Sequence, residues 1–193
     1  MSFFHDPEAP TQPDQLAVEF EQLLDLYRAL KPRRILEIGV REGGTLYQWI
    51  KNTDPGAQIV AVEIGMSGNW GNRTMPDPIG WIGWAERYGA TVTPIIGDSH
   101  DPATVRQVEA CAPFDFAFID GDHSYYGVSC DYLAYARMVR PGGIVALHDV
   151  LRNRDDERIE IWRYWPKIQA AHTTQVLISE PNQATRGIGV VHV

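Results

Sequence analysis

Apolar and polar positions along the chain follow two periods that take turns. Across residues 14–30, Leu16, Phe20, Leu23, Leu24, Tyr27 and Leu30 recur at helical spacing, and Pro32 stops that helix. Short apolar runs then predict strands at residues 34–38, 58–64, 91–96, 114–119, 144–147, 175–179 and 187–193. Helical patterns fill the intervals at 43–50, 84–88, 102–111, 126–139 and 156–171. Strands that alternate with helices give an α/β architecture, a mostly parallel sheet covered on both faces. The last two strands have only a turn between them, too short for a parallel crossover, so they pair antiparallel.

Two stretches break the pattern. Residues 1–13 hold three prolines among polar residues and read as a flexible N-terminal arm ahead of a single domain at 14–193. Residues 65–84 are rich in Gly, Asn, Pro and Trp without a steady period, so they read as a functional loop. Trp70, Trp81 and Trp84 in it are candidates for a lid or acceptor wall, or for covering a sheet edge or a homo-oligomer contact. Trp162 and Trp165 read as core.

Composition narrows the function classes. The 193 residues carry 44% hydrophobic and 22% charged positions, as expected for one globular domain. A net charge of −8 with no basic run argues against a nucleic-acid partner. No apolar run has the length to cross a membrane and the N-terminus has no signal-peptide pattern, so the expected location is cytoplasmic. Cys111 and Cys130 read as free, buried thiols.

Chemistry concentrates where strands end. FAFIDGD at 116–122 runs into His123, and ALHDV at 146–150 ends in His148, Asp149 and Val150. Ligands sit at the carboxyl ends of parallel strands, so Asp120, Asp122, His123, His148 and Asp149 are expected around one crevice. Oxygen and imidazole donors gathered there suit a divalent metal. The competing reading is that Asp120 and Asp122 cap the following helix and His123 lies on the surface. Glu37-Ile-Gly-Val-Arg-Glu-Gly-Gly-Thr45 joins a strand to a helix. Gly39 permits a tight turn, and Gly43 or Gly44 permits close ligand approach to the helix N-terminus. Arg41 stands where the dinucleotide fingerprint needs glycine. Glu63, ending the second strand, has the place of a ribose-binding acid or of a solvated strand-end carboxylate. Asp98 suits an adenine amino group or a helix N-cap. His5, His100, His172 and His192 have no ligand spacing and read as structural or exposed.

The order ILEIG…EGGT, VAVE, IIGDS, FDFAFIDGDHSYYGV, RPGGIVALHDV and GIGVVHV resembles a class I S-adenosylmethionine-dependent methyltransferase across residues 33–193. IDGDHSY paired with LHDV looks like the branch of cephalosporin-hydroxylase-like proteins and metal-dependent macrolide and rhamnosyl sugar O-methyltransferases. The resemblance implies a three-layer Rossmann-like fold with a seven-stranded, mostly parallel sheet ending in an antiparallel hairpin. It implies S-adenosylmethionine as cofactor, bound by Glu37, Gly39, Gly43, Glu63, Asp98, Ser99 and Asp120, with a divalent cation, Mg²⁺ or Mn²⁺, on Asp120, His148 and Asp149. His123 falls at the general base. His148 departs from the branch, which usually carries a second acid there; an imidazole moves preference from Mg²⁺ toward Mn²⁺, Fe²⁺ or Zn²⁺. The expected acceptor is a hydroxyl of a small polyhydroxylated molecule. A metal-dependent hydroxylase-like enzyme and a non-catalytic cofactor-binding protein are the alternatives.

Overall fold

The computed structural model describes residues 2–65, 77–154 and 156–193. Its elements are α1 (Ala17–Leu30), β1 (Arg34–Ile38), α2 (Gly44–Lys51), β2 (Gln58–Glu63), α3 (Pro78–Arg87), β3 (Thr91–Ile96), α4 (Pro102–Glu109), β4 (Phe114–Ile119), α5 (Tyr125–Tyr135), β5 (Val139–Leu147), α6 (Ile161–Ala171), β6 (Thr173–Leu177) and β7 (Ile188–His192). They build the expected seven-stranded sheet, in the order β3-β2-β1-β4-β5-β7-β6. β1 to β5 run parallel, and β7 lies antiparallel between β5 and β6.

Both faces of the sheet are buried, and side chains alternate between two cores. Phe116 and Phe118 of β4 pack with Phe20 and Tyr27 of α1, Trp49 of α2 and Trp81 of α3. Ala117 and Ile119 face the other way, onto Val108 of α4, Tyr135 of α5 and Trp165 of α6. Strands covered on two sides are continuously apolar rather than alternating, which is why β1 and β4 stood out in the sequence. Phe114 shares the face of Ala117 because the β4–β5 register shifts between Phe114 and Phe116.

Three expectations are corrected. The arm is not loose. Asp6 is buried and accepts hydrogen bonds from Gln48 Nε2 (2.9 Å) and Lys51 Nζ (2.8 Å), while Phe4 meets Phe20 edge to face. Its proline-rich composition hid these contacts because their partners lie on α2, far along the chain. Helix α3 begins within the 65–84 segment, at Pro78: Asp77 accepts from Gly80 N at 2.9 Å, and Pro78 has the fixed φ that suits a first helical turn. Trp81 on it is fully buried and Trp84 packs edge-on against Tyr47 at 5.7 Å, so both serve the core; Trp70 lies outside the described residues. Helix α6 begins at Ile161, later than its periodicity suggested, because Glu160 is drawn off to the start of α5. Its N–H donates to the His123 carbonyl (2.8 Å), and its Oε2 accepts from Tyr125 N (3.0 Å). Trp165 is core as expected; Trp162 lies under the Arg152 guanidinium. Cys111 and Cys130 are free but partly exposed rather than buried. No helix among the described residues is long and apolar enough to cross a membrane.

Candidate active site

The carboxyl ends of the parallel strands open onto one cavity of about 970 Å³. Gly39, Glu63, Asp98, Ser99, Asp120, His123, His148 and Asp149 all line it, brought together from five strand ends. Glu37 and Gly43, singled out with them in the sequence, stand behind the wall instead. Glu37 is fully buried and accepts a hydrogen bond from Thr45 Oγ1. Burial pushes its carboxyl up to about 8, against the hydrogen bond from Thr45, and the negative charges of Asp120 and Glu63 add to the rise. Gly43 has φ +90°, and a Cβ there would fall 2.8 Å from Trp81 Nε1, so its lack of a side chain makes room for a tryptophan, not a ligand. Gly44 likewise makes room for the backbone of Gln12. Gly39 is the tight turn the sequence predicted: at φ +85° a Cβ would sit 2.3 Å from the Asp120 carbonyl oxygen.

On the β1–β3 side, Glu63 organises the loop after β1. Its Oε2 accepts from Val40 N (2.9 Å) and Arg41 N (2.6 Å), and its Oε1 from Gly65 N (3.1 Å). A solvated strand-end carboxylate does not describe it. The Asp98 Oδ1 accepts from His100 N at 2.9 Å, and the cap of α4 is Asp101, not Asp98. Asp122 closes a short turn by accepting from Ser124 N (2.9 Å), and Ser124 is the cap of α5. The capping reading of Asp120 therefore falls, since other residues do that work.

On the β4–β5 side the side chains form a cluster of alternating charge. Asp120 Oδ1 lies 3.1 Å from His123 Nε2 and 3.2 Å from His148 Nδ1. Asp149 Oδ2 lies 3.1 Å from His123 Nδ1 and 3.6 Å from His148 Nδ1. Gln15 Nε2 donates to the second Asp120 oxygen at 2.9 Å. Asp149 takes a left-handed φ of 58°, which short polar side chains tolerate better than most. Burial alone would lower both imidazoles, but the carboxylates outweigh it: His123 rises to about 9 and His148 well above its ordinary value. The same contacts hold Asp120 and Asp149 below the usual carboxylate range against their own burial.

The α1 side of this cluster was not legible in the sequence. Glu19 is fully buried, accepts from Gln183 Nε2 (2.8 Å) and Gly187 N (3.1 Å), and turns its other oxygen toward His148 Nε2 at 3.8 Å. The acid missing at position 148 is thus matched by one that arrives from another element. Glu19 lies on the buried face of α1 and Gln15 in the bend just before it, and nothing in their spacing marks them. His100, also passed over, lines the cavity beside a buried acid, Asp131.

Among the described residues no group of three or more His, Cys, Asp or Glu side chains is arranged to hold a metal ion. The donor types are right, but both His123 nitrogens and His148 Nδ1 face carboxylate oxygens. Imidazoles must be neutral to ligate a metal, and the carboxylates around these two favour the charged form. As arranged, the cluster is closed on itself by its own charges and does not fit a cation.

The fold recurs in known proteins. The chain resembles an O-methyltransferase from Bacillus cereus solved with S-adenosylhomocysteine, at 22% identity, covering 97% of this chain and 84% of the other with a TM-score of 0.65. It also resembles TomG of Streptomyces achromogenes, an O-methyltransferase solved with S-adenosylmethionine (18% identity, 96% and 83% covered, TM-score 0.67). A third likeness is to MycE of the mycinamycin pathway, solved with Mg, S-adenosylhomocysteine and mycinamycin VI (20% identity, 89% and 48% covered, TM-score 0.58). At these identities the likeness establishes the fold. A curated relative, y4gI of Sinorhizobium fredii, is 24% identical over 156 residues, and the match takes in 75% of this chain but only 16% of that protein. The methyltransferase domain family itself matches residues 36–150, from the third residue of the strand RILEI to the end of LHDV, and the chain belongs to that family.

Proposed function

We propose that the chain transfers the methyl group of S-adenosylmethionine to a hydroxyl of a small polyhydroxylated molecule. One observation carries the reading: a single cavity joins the acid-and-glycine ends of β1–β3 to a buried acid–imidazole cluster at the ends of β4 and β5. The residues present suit such a cofactor. Gly39 leaves the strand end bare, and the buried Glu63 carboxylate has a lone pair left beyond its three backbone donors for ribose hydroxyls. Asp98 and Ser99 line the same cavity, where they would meet the adenine. Glu37, out of reach of the cavity surface, acts through the Thr45 hydroxyl that it accepts from. When bound, the cofactor supplies an electrophilic methyl on a sulfonium.

The chain's task is positioning and proton removal. The acceptor hydroxyl is oriented beside His123, whose imidazole takes the proton as the oxygen–carbon bond forms and the carbon–sulfur bond breaks. Asp120 and Asp149 hold the ring at both ends and stabilise the imidazolium that results. Polar groups at the rim, among them Asn153, Asp156 and Arg186, suit an acceptor with several hydroxyls.

Calorimetry with S-adenosylhomocysteine tests the core of this reading. The chain is expected to bind it, and Glu63→Gln to weaken binding about 10- to 100-fold, the value of a hydrogen bond to a charged group. Thermal unfolding of the variant separates loss of binding from loosening of the loop that Glu63 ties down. No binding by the unaltered chain rejects the proposal.

A second reading adds a divalent cation on Asp120, His148 and Asp149. It is favoured by the Mg in the MycE structure and by the donor types gathered here. The closed ion pairs oppose it, so EDTA treatment is expected to leave the affinity for S-adenosylhomocysteine and the turnover of a diol acceptor within about twofold. A gain of about tenfold or more on adding Mg²⁺ or Mn²⁺, or a stoichiometric ion in native mass spectrometry, establishes the cation instead.

A further inference from the structure

Asp131 is a fully buried acid on α5 that the proposed chemistry does not use. Neither of its oxygens has an aligned hydrogen-bond donor among the described residues. A buried carboxylate without a partner is costly, and the cation it faces is His100, whose Nε2 lies 3.3 Å from Asp131 Oδ1. The other ring nitrogen of His100 points toward Asp98, with Nδ1 3.7 Å from Oδ1, and the His100 N–H donates to the same oxygen at 2.9 Å. One helical turn beyond Asp131, Tyr135 donates its hydroxyl to the Ser99 carbonyl at 2.6 Å. The buried face of α5 therefore grips the loop after β3 twice: by its backbone at Ser99 and by the His100 ring. That loop and His100 both line the cavity.

We propose that Asp131, His100 and Asp98 form a chain of alternating charge that holds the Asp98 carboxylate toward the exocyclic amino group of the purine. His100 is thus a positioning residue for adenine recognition. The inference rests on the cofactor reading above. The buried Asp131 carboxylate beside it keeps the imidazole charged, pushing it up to about 9 despite partial burial, with Asp98 and Asp122 adding to the rise. A charged imidazole tethers an exposed carboxylate that water would otherwise leave free to swing. A fixed carboxylate accepts from a 6-amino group and repels a 6-oxo group, because the oxo purine offers only another acceptor at that place.

The test compares S-adenosylhomocysteine with its deaminated analogue, S-inosylhomocysteine, by calorimetry on the full chain. The unaltered protein is expected to prefer the adenosyl compound by about tenfold or more. His100→Ala and Asp131→Asn are both expected to shrink that preference to about twofold or less, mainly by weakening the adenosyl compound, while thermal unfolding shows that His100→Ala remains folded. A loop that merely loosens would weaken both compounds alike. Variants that keep the wild-type ratio, or an unaltered chain that binds both compounds equally, overturn the proposal. Failure of the unaltered chain to bind either compound rejects the cofactor reading itself, a different result.

Discussion

Replacement of His123 by glutamine is expected to lower methyl transfer by about 10²- to 10⁴-fold, the usual contribution of a positioned general base. The affinity for S-adenosylhomocysteine should stay within a few-fold. Both expectations follow from where the ring is held. His123 follows β4 in a short turn closed by Asp122 and gripped by Glu160, and its nitrogens lie 3.1 Å from Asp120 and from Asp149. Those contacts fix the ring but also raise its pKa to about 9, although its burial works the other way. Below that pH the ring is mostly protonated and cannot accept a proton, so turnover of the native chain should climb about tenfold per pH unit between pH 6 and 8 and level off near pH 9. The glutamine variant should lack this limb. The decisive measurement is kcat against pH for both forms with one diol acceptor. A flat profile for the native chain across pH 6–9, or a variant of undiminished rate, removes His123 from the proton path.

The fold was legible because its signals are local. β1, β3 and β4 fall at the residues the apolar runs marked. β1 and β4, inside the sheet and buried on both faces, must be apolar throughout, while β3 at the edge is only partly buried. The antiparallel end of the sheet followed from the shortness of one connection. The candidate site was legible where it hangs on strand ends, because the carboxyl edge of a parallel sheet gathers whatever side chains the strands finish in. Glu63, Asp98, Asp120, His123, His148 and Asp149 all reach one cavity on that ground. Gly43 shows the limit of such reading: a glycine at the start of a helix can make room for a ligand or for a tryptophan, and the packing of Trp81 against it is set by α3, later in the chain. Glu19, Gln15 and Asp131 were hidden for a related reason. Each lies on a helix or just before one, where a polar residue is unremarkable, and each gains its meaning from a partner on a distant element: His148, Asp120 and His100 respectively. Periodicity reports which face of a helix is buried, not what waits across from it.

Asp120 is the hub of the charge cluster, and its isosteric replacement by asparagine should be the most destabilising single change in the site. The carboxylate faces three groups at once, Gln15, His123 and His148. Removing one member of a buried pair leaves the other uncompensated and typically costs about 3–5 kcal/mol. The pH dependence identifies the cause. Asp120 is held below its ordinary 3.8, so its contribution is present above that value and is lost as the pH falls through the lowered folded value. His123 is raised from 6.5 to about 9, so its share is complete below 6.5 and is lost as the pH rises through 9. The deficit of Asp120→Asn in urea unfolding should therefore be largest between about pH 4 and pH 6.5, shrink as the pH rises from 6.5 toward 9, and narrow again below pH 4. A deficit that stays constant from pH 5 to pH 10 would assign the loss to packing rather than charge. Combining Asp120→Asn with His148→Gln should cost less than the two single changes added together, because the second change removes the cation that the first left unpaired.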